Sequence, residues 1–233
     1  MLTDRPGLLR LLALGWGLAL AAAAAAYSLD QMPLGEIQRG LKATLEQSAR
    51  SATSTLGRYD GFWGNPKARI PLPAAVLRAR STLVTMGRSK QIDELERGMN
   101  AAAEQAVPLL QQHLLDAVRD LTIYDAKGIV RGGSDAATQY YRSRTQAELA
   151  RRFLPTVRQI TERQGLARPY NALADKARPL SLVNNEQPTV EAYVTAKTLD
   201  AIYAAMAEQE RKLRANPGAA PQEPVRKLFG AVR

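Results

Sequence analysis

The chain has 233 residues, 45% of them hydrophobic, and no cysteine. That length and apolar content exclude wholesale disorder, and the missing thiol excludes disulfides, thiolate metal sites and cysteine nucleophiles. A net charge of +10 points to solubility or to an anionic partner.

The first 26 residues read as a secretory signal peptide. Arg5 and Arg10 give a positive start, Leu11 to Ala26 is uncharged and apolar, and Ala24-Ala25-Ala26 offers small residues for cleavage before Tyr27. An uncleaved anchor is the alternative, because the run is long for a leader. The mature chain, residues 27–233, is then expected to be exported, to the periplasm in a bacterial cell, and not an integral membrane protein. Abundant alanine with sparse β-branched and aromatic residues favours helix, so the expected fold is one all-α, bundle-like domain.

Leu34, Ile37, Leu41, Leu45, Ser48, Ala52 and Leu56 recur every three or four residues, the spacing of a helix face ending at Gly57. Gly61, Gly64, Pro66, Pro71 and Pro73 then mark a long loop. Tyr59, Phe62 and Trp63 cluster there, either to plug the end of the core or to grip a ligand, a partner or a membrane. A second helix is predicted from Ala74 to Met86, ended by Gly87. A long one opens at Ser89 with Ile92, Leu95, Met99, Ala102, Ala103 and Ala106 on one face, and Pro108 interrupts or restarts it.

His113 is the only histidine, so no His-rich metal site or proton relay is available, and no cofactor or metal is expected. Asp116, Asp120, Asp125 and Asp135 are the carboxylates an enzyme would use, but each also has a structural reading; Thr122 to Asp125 has capping-box spacing.

The stretch Ile129 to Arg142 is the organising one. Gly132-Gly133 makes a turn, Ser134 or Asp135 can cap the helix that follows, and Arg131 beside the turn could help hold an anion at the helix start. Asp135 opposes that anion, and the spacing is neither a P-loop nor a dinucleotide fingerprint. Thr145-Gln-Ala-Glu148 reads as a capping box opening another helix with Pro155 early in it and Gly165 at its end. A short helix follows around Tyr170 to Ala177, then a loop from Pro179 to Pro188, and Thr189 caps the last long helix. Ala192, Ala196, Leu199, Tyr203 and Met206 give that helix a seam spacing. Residues 218–233 are a Pro-containing tail with a short basic segment that docks or stays mobile.

The Ile129 to Arg142 stretch resembles the hallmark of a bacterial exported family known only as domain of unknown function 4197. Asp60 to Pro66 with Arg69 to Pro73, Tyr170 to Ala174, and Tyr193 to Lys197 with Arg214 to Pro217 are similar to its other motifs. The resemblance implies an exported all-helical domain and brings no activity or catalytic residues.

No catalytic residues are therefore assigned. The expected function is a non-enzymatic binding or interaction module of the cell envelope, taking an envelope protein or an amphipathic ligand. Candidate binding residues are Tyr59, Phe62 and Trp63, then Arg131, Gly132, Gly133, Ser134 and Asp135, with Tyr140, Tyr141, Tyr170 and Asn171. Tyr124 joins the tyrosines expected near the centre. The alternatives are a hydrolase or metal-dependent enzyme using the aspartates, and a basic protein binding anionic lipid or polymer surfaces.

Overall fold

The computed structural model describes residues 28–177 and 189–232. The leader and the loop expected from Pro179 to Pro188 lie outside these residues. Among the described residues the secondary structure is helical, with nine α-helices and no strand.

Four long helices make the core: α1 (Leu34–Leu56), α4 (Ser89–Asp120), α6 (Ala136–Arg163) and α8 (Val190–Ala215). Successive members run antiparallel. Gln38 reaches the carbonyl of Ile123 while Thr53 reaches Gln111, and Thr138 meets Glu210 while Arg158 faces Glu191. Their apolar stripes meet in one buried cluster that includes Leu41, Leu45, Met99, Leu110, Phe153 and Ile202. The α1 stripe lies as its spacing predicts, except that Leu34, at the first turn, is exposed.

The short helices close the ends. The predicted second helix is two, α2 (Ala74–Arg78) and α3 (Arg80–Thr85), and they pack with α7 (Ala167–Ala177). Helix α5 (Ala126–Arg131) crosses α1 and α6, and α9 (Glu223–Gly230) seats Val225, Leu228 and Phe229 against the bundle. The basic C-terminal segment is thus docked. Gly40 of α1 lets it approach, since a Cβ there would lie 2.8 Å from that of Leu228. Gly87 and Gly165 take φ of +72° and +66° at the ends of α3 and α6, a conformation with no Cβ penalty only for glycine.

Three local expectations are overturned. Pro108 lies within α4 and neither interrupts nor restarts it, while Pro155 is accommodated inside α6 as expected, though well past its first turns. Both are exposed, so water can take the carbonyl each leaves unbonded, and packing of the opposite face outweighs the lost bond. Thr145 does not open a helix: α6 already runs from Ala136, and the Thr145 hydroxyl donates 2.7 Å back to the Tyr141 carbonyl. On α8, Leu199, Tyr203 and Met206 are buried but Ala196 is exposed.

Candidate functional site

The turn between α5 and α6 holds the most connected polar cluster. Its tip, Arg131 to Ser134, is exposed, whereas Ala137, Thr138 and Tyr141 just beyond it are fully buried. Gly132 is needed for close approach, because a Cβ there would meet that of Ala136 at 2.9 Å; Gly133 faces open space.

An anion does sit at the start of α6, and it is the protein's own. Glu210 of α8, wholly buried, accepts the backbone N–H of Ala137 at 3.0 Å and that of Thr138 at 2.7 Å, plus the Thr138 hydroxyl at 2.7 Å. Neither Ser134 nor Asp135 caps the helix. Asp135 instead accepts from Arg211 at 2.6 Å. One turn on, Arg214 donates 2.9 Å to Glu210, then reaches the carbonyls of Val130 at 2.7 Å and Ile129 at 3.2 Å at the end of α5. Its guanidinium lies over the Phe229 ring. A carboxylate thus meets the positive end of one helix and a guanidinium the negative end of another. Arg131 bonds Asp30, and Arg142 donates 2.7 Å to Asp200.

The tyrosines divide. Tyr141 is buried and donates to the Leu114 carbonyl at 2.8 Å, its ring edge-on to Tyr203. Burial, and after it the Tyr203 charge, push its hydroxyl well above the usual tyrosine range. Burial raises Tyr203 and Tyr193 to about 12, and it raises Tyr170, with Glu191 second. Tyr140 reaches the Thr122 carbonyl at 2.7 Å, whereas Tyr124 and Asn171 are exposed, contrary to the central place expected for them. The raised groups keep their protons while the unfolded chain loses them above pH ~10, so their contribution is complete below that pH. For Tyr203 it fades as pH rises through about 12, by about 1.4 kcal/mol per pH unit. Tyrosinate absorbance from these groups is therefore expected with alkaline unfolding seen by circular dichroism. Full tyrosinate development near pH ~10 with the helices intact would contradict this.

The aromatic loop is sewn to α4. Phe62 is fully buried, Tyr59 is 89% exposed, and Trp63 lies between Arg69 and Arg97, whose guanidinium carbons stand 3.5 and 4.6 Å from its ring centroid. Glu104 accepts the Phe62 and Trp63 N–H groups at 2.9 and 3.0 Å, and Asn100 pairs with both main-chain groups of Ile70. With Phe62 in the core and Tyr59 in solvent, the three aromatics do not share one face. Asp125 caps α5 through the Gly128 N–H at 2.8 Å, displacing the box at Thr122, and Asp116 accepts from Arg119 and Gln112. Among the described residues no group of three or more His, Asp or Glu is placed to hold a metal.

A spacious recess lies elsewhere, a groove of about 630 Å³ between α1, the loop and α8. Ala52, Ala68, Ala201 and Ala205 lie along it, with Lys67, Glu208 and Lys212 at its rim. Glu208 bonds Lys67 at 3.1 Å, and Lys67 and Lys212 together hold its carboxyl below the usual range.

The family model for "Protein of unknown function (DUF4197)" matches residues 31–230. The chain belongs to that family. Nothing among curated proteins or solved structures matches it. All the motif stretches quoted for DUF4197 fall within the match, and several of their polar side chains are spent on internal joints: Arg214 on the Val130 carbonyl, Asp135 on Arg211, Arg142 on Asp200, and Tyr193 on the Pro71 carbonyl at 3.0 Å. Glu210, Asn100 and Glu104 were not among the predicted site residues. Glu210 had a signal, since the seam through Leu199, Tyr203 and Met206 continues in the same rhythm to Glu210 and Leu213.

Proposed function

We propose that this DUF4197 chain is an exported envelope protein and a non-enzymatic interaction module, whose α1–α8 groove receives a helix of a partner protein. The observation that carries the reading is the groove itself. A row of alanines lets a helix axis come close, and charged residues at the rim can fix its register. Its volume, about 630 Å³, is in the range of specific binding sites. The basic and apolar leader in the sequence supports the export half.

Ala204 is exposed at this groove, so Ala204→Trp fills it without touching the core. A photo-reactive side chain at 204 is expected to capture a specific partner in intact cells, and Ala204→Trp to abolish co-purification of that partner with an unchanged melting temperature. Capture of nothing, or co-purification indifferent to the tryptophan, would refute the groove. Mass spectrometry of the N-terminus in the envelope fraction tests the export reading separately.

A further inference from the structure

Between Asp60 and Asp93 the sequence holds no acidic residue, yet it carries Lys67, Arg69, Arg78, Arg80, Arg88 and Lys90. The same segment contains three of the large apolar side chains left in solvent: Leu77 at 50%, Val84 at 45% and Met86 at 54% exposure. They belong to α2, α3 and the turn after it, while the inward residues Val76, Ala79 and Leu83 are buried. Helix packing is thus satisfied on one side, and a basic and apolar tip projects on the other.

Beside this tip lies a recess of about 240 Å³ lined by Arg88, Gln91, Arg168, Pro169, Ala172 and Leu173. Arg88 turns to the neutral Gln91 at 3.1 Å, and Arg168 has no acidic partner among the described residues. The acids at the start of α4 are engaged elsewhere: Asp93 and Glu96 face Arg80, and Glu94 faces Lys90. Two guanidiniums without a carboxylate partner among the described residues, beside an apolar floor, suit a phosphate attached to something greasy.

We propose that the α2–α3 tip docks on an anionic phospholipid surface, with Leu77, Val84 and Met86 entering the interface and Arg88 and Arg168 holding lipid phosphate. The charge complementarity decides for lipid. Asp93, Glu94 and Glu96 at this end are matched by Arg80 and Lys90, which leaves Arg88 and Arg168 as unbalanced cations beside exposed apolar side chains, the arrangement of interfacial segments. The site lies at the α2–α3–α7 end and shares no residue with the α1–α8 groove, so it stands whether or not that groove takes a partner.

The test is flotation of the purified chain with vesicles of phosphatidylglycerol and phosphatidylcholine, against phosphatidylcholine alone. Binding is expected only to the anionic vesicles, falling steeply between about 0.05 M and about 0.5 M salt. Arg88→Glu with Arg168→Glu is expected to weaken it at least about tenfold. Arg151→Glu, an exposed change on α6, is expected to leave it nearly unaltered. Because the chain lacks cysteine, Met86→Cys and Ser54→Cys each accept one environment-sensitive dye. A blue shift on anionic vesicles is expected at 86 and not at 54. No flotation, equal loss from Arg151→Glu, or equal shifts at both dyes would overturn the proposal. So would a tip that cross-links in cells to a soluble protein and not to lipid.

Discussion

Glu210→Ala is expected to remove about 3–5 kcal/mol of folding stability, read from the urea midpoint at unchanged slope. The carboxylate is fully buried and accepts three hydrogen bonds from the first turn of α6 and one from Arg214. Truncation strands the Ala137 and Thr138 N–H groups away from water and leaves the Arg214 guanidinium, only 12% exposed, without its counter-charge. Arg214 would retain the carbonyls of Ile129 and Val130, so α5 and α6 lose their common clasp and not their individual helices. Glu210→Gln separates shape from charge. Its carbonyl can replace one acceptor, but its amide must face either an N–H or the guanidinium, so a loss of about 2 kcal/mol is expected. The double change Glu210→Met with Arg214→Met should cost clearly less than the two single changes added, because each single change leaves the other charge buried. Additive losses, or a Glu210→Ala cost under about 1 kcal/mol, would show that the clasp contributes little.

This clasp also shows where local reading stops. The α1 face was legible because amphipathic spacing is a property of neighbours, and α1 begins and ends where that spacing does. Thr189 was legible for the same reason, since a side-chain cap reaches only three residues, to Ala192; Asp125 was read as the far member of a box at Thr122 and is itself the cap, on Gly128. The start of α6 was not, because its N–H groups are met by a residue 73 positions away. Local rules offered Ser134, Asp135 and Thr145, all with cap chemistry; tertiary contacts gave Asp135 to Arg211 and Thr145 to the Tyr141 carbonyl. The aromatic loop fails in the same manner. Glu96, Asn100 and Glu104 form a polar row at four-residue spacing on α4, which in sequence is indistinguishable from a solvated face. In the fold it is the row to which the loop and Arg80 attach.

Asn100→Leu tests that row, and it is expected to cost about 2–5 kcal/mol although it leaves no cavity. Leucine keeps the branched four-atom shape of asparagine but is bulkier, so the loss of polar partners is joined by some overpacking at this fully buried position. Asn100 is fully buried; its Oδ1 accepts the Ile70 N–H at 2.8 Å and its Nδ2 donates to the Ile70 carbonyl at 2.9 Å and the Glu96 carbonyl at 2.8 Å. The carboxamide thus stands in for the main chain of a neighbouring strand, in a fold that has none among its described residues. Leucine leaves both Ile70 groups buried and unpaired, whereas the Glu96 carbonyl keeps the ordinary bond of its helix. Asn100→Asp keeps the acceptor and loses the donor, and it adds a charge beside two carbonyls, so it should be no milder. Glu104→Gln should be much milder, since a Gln carbonyl can accept the Phe62 and Trp63 N–H groups as the carboxylate does. Hydrogen exchange distinguishes a local from a global effect. In Asn100→Leu the Ile70, Phe62 and Trp63 amides are expected to exchange far faster than those of α6, because the loop detaches before the bundle opens. If Ile70 stays as protected as the α6 core, burial of Phe62, Ile70 and Leu72 holds the loop by itself, and the polar row is only a lining.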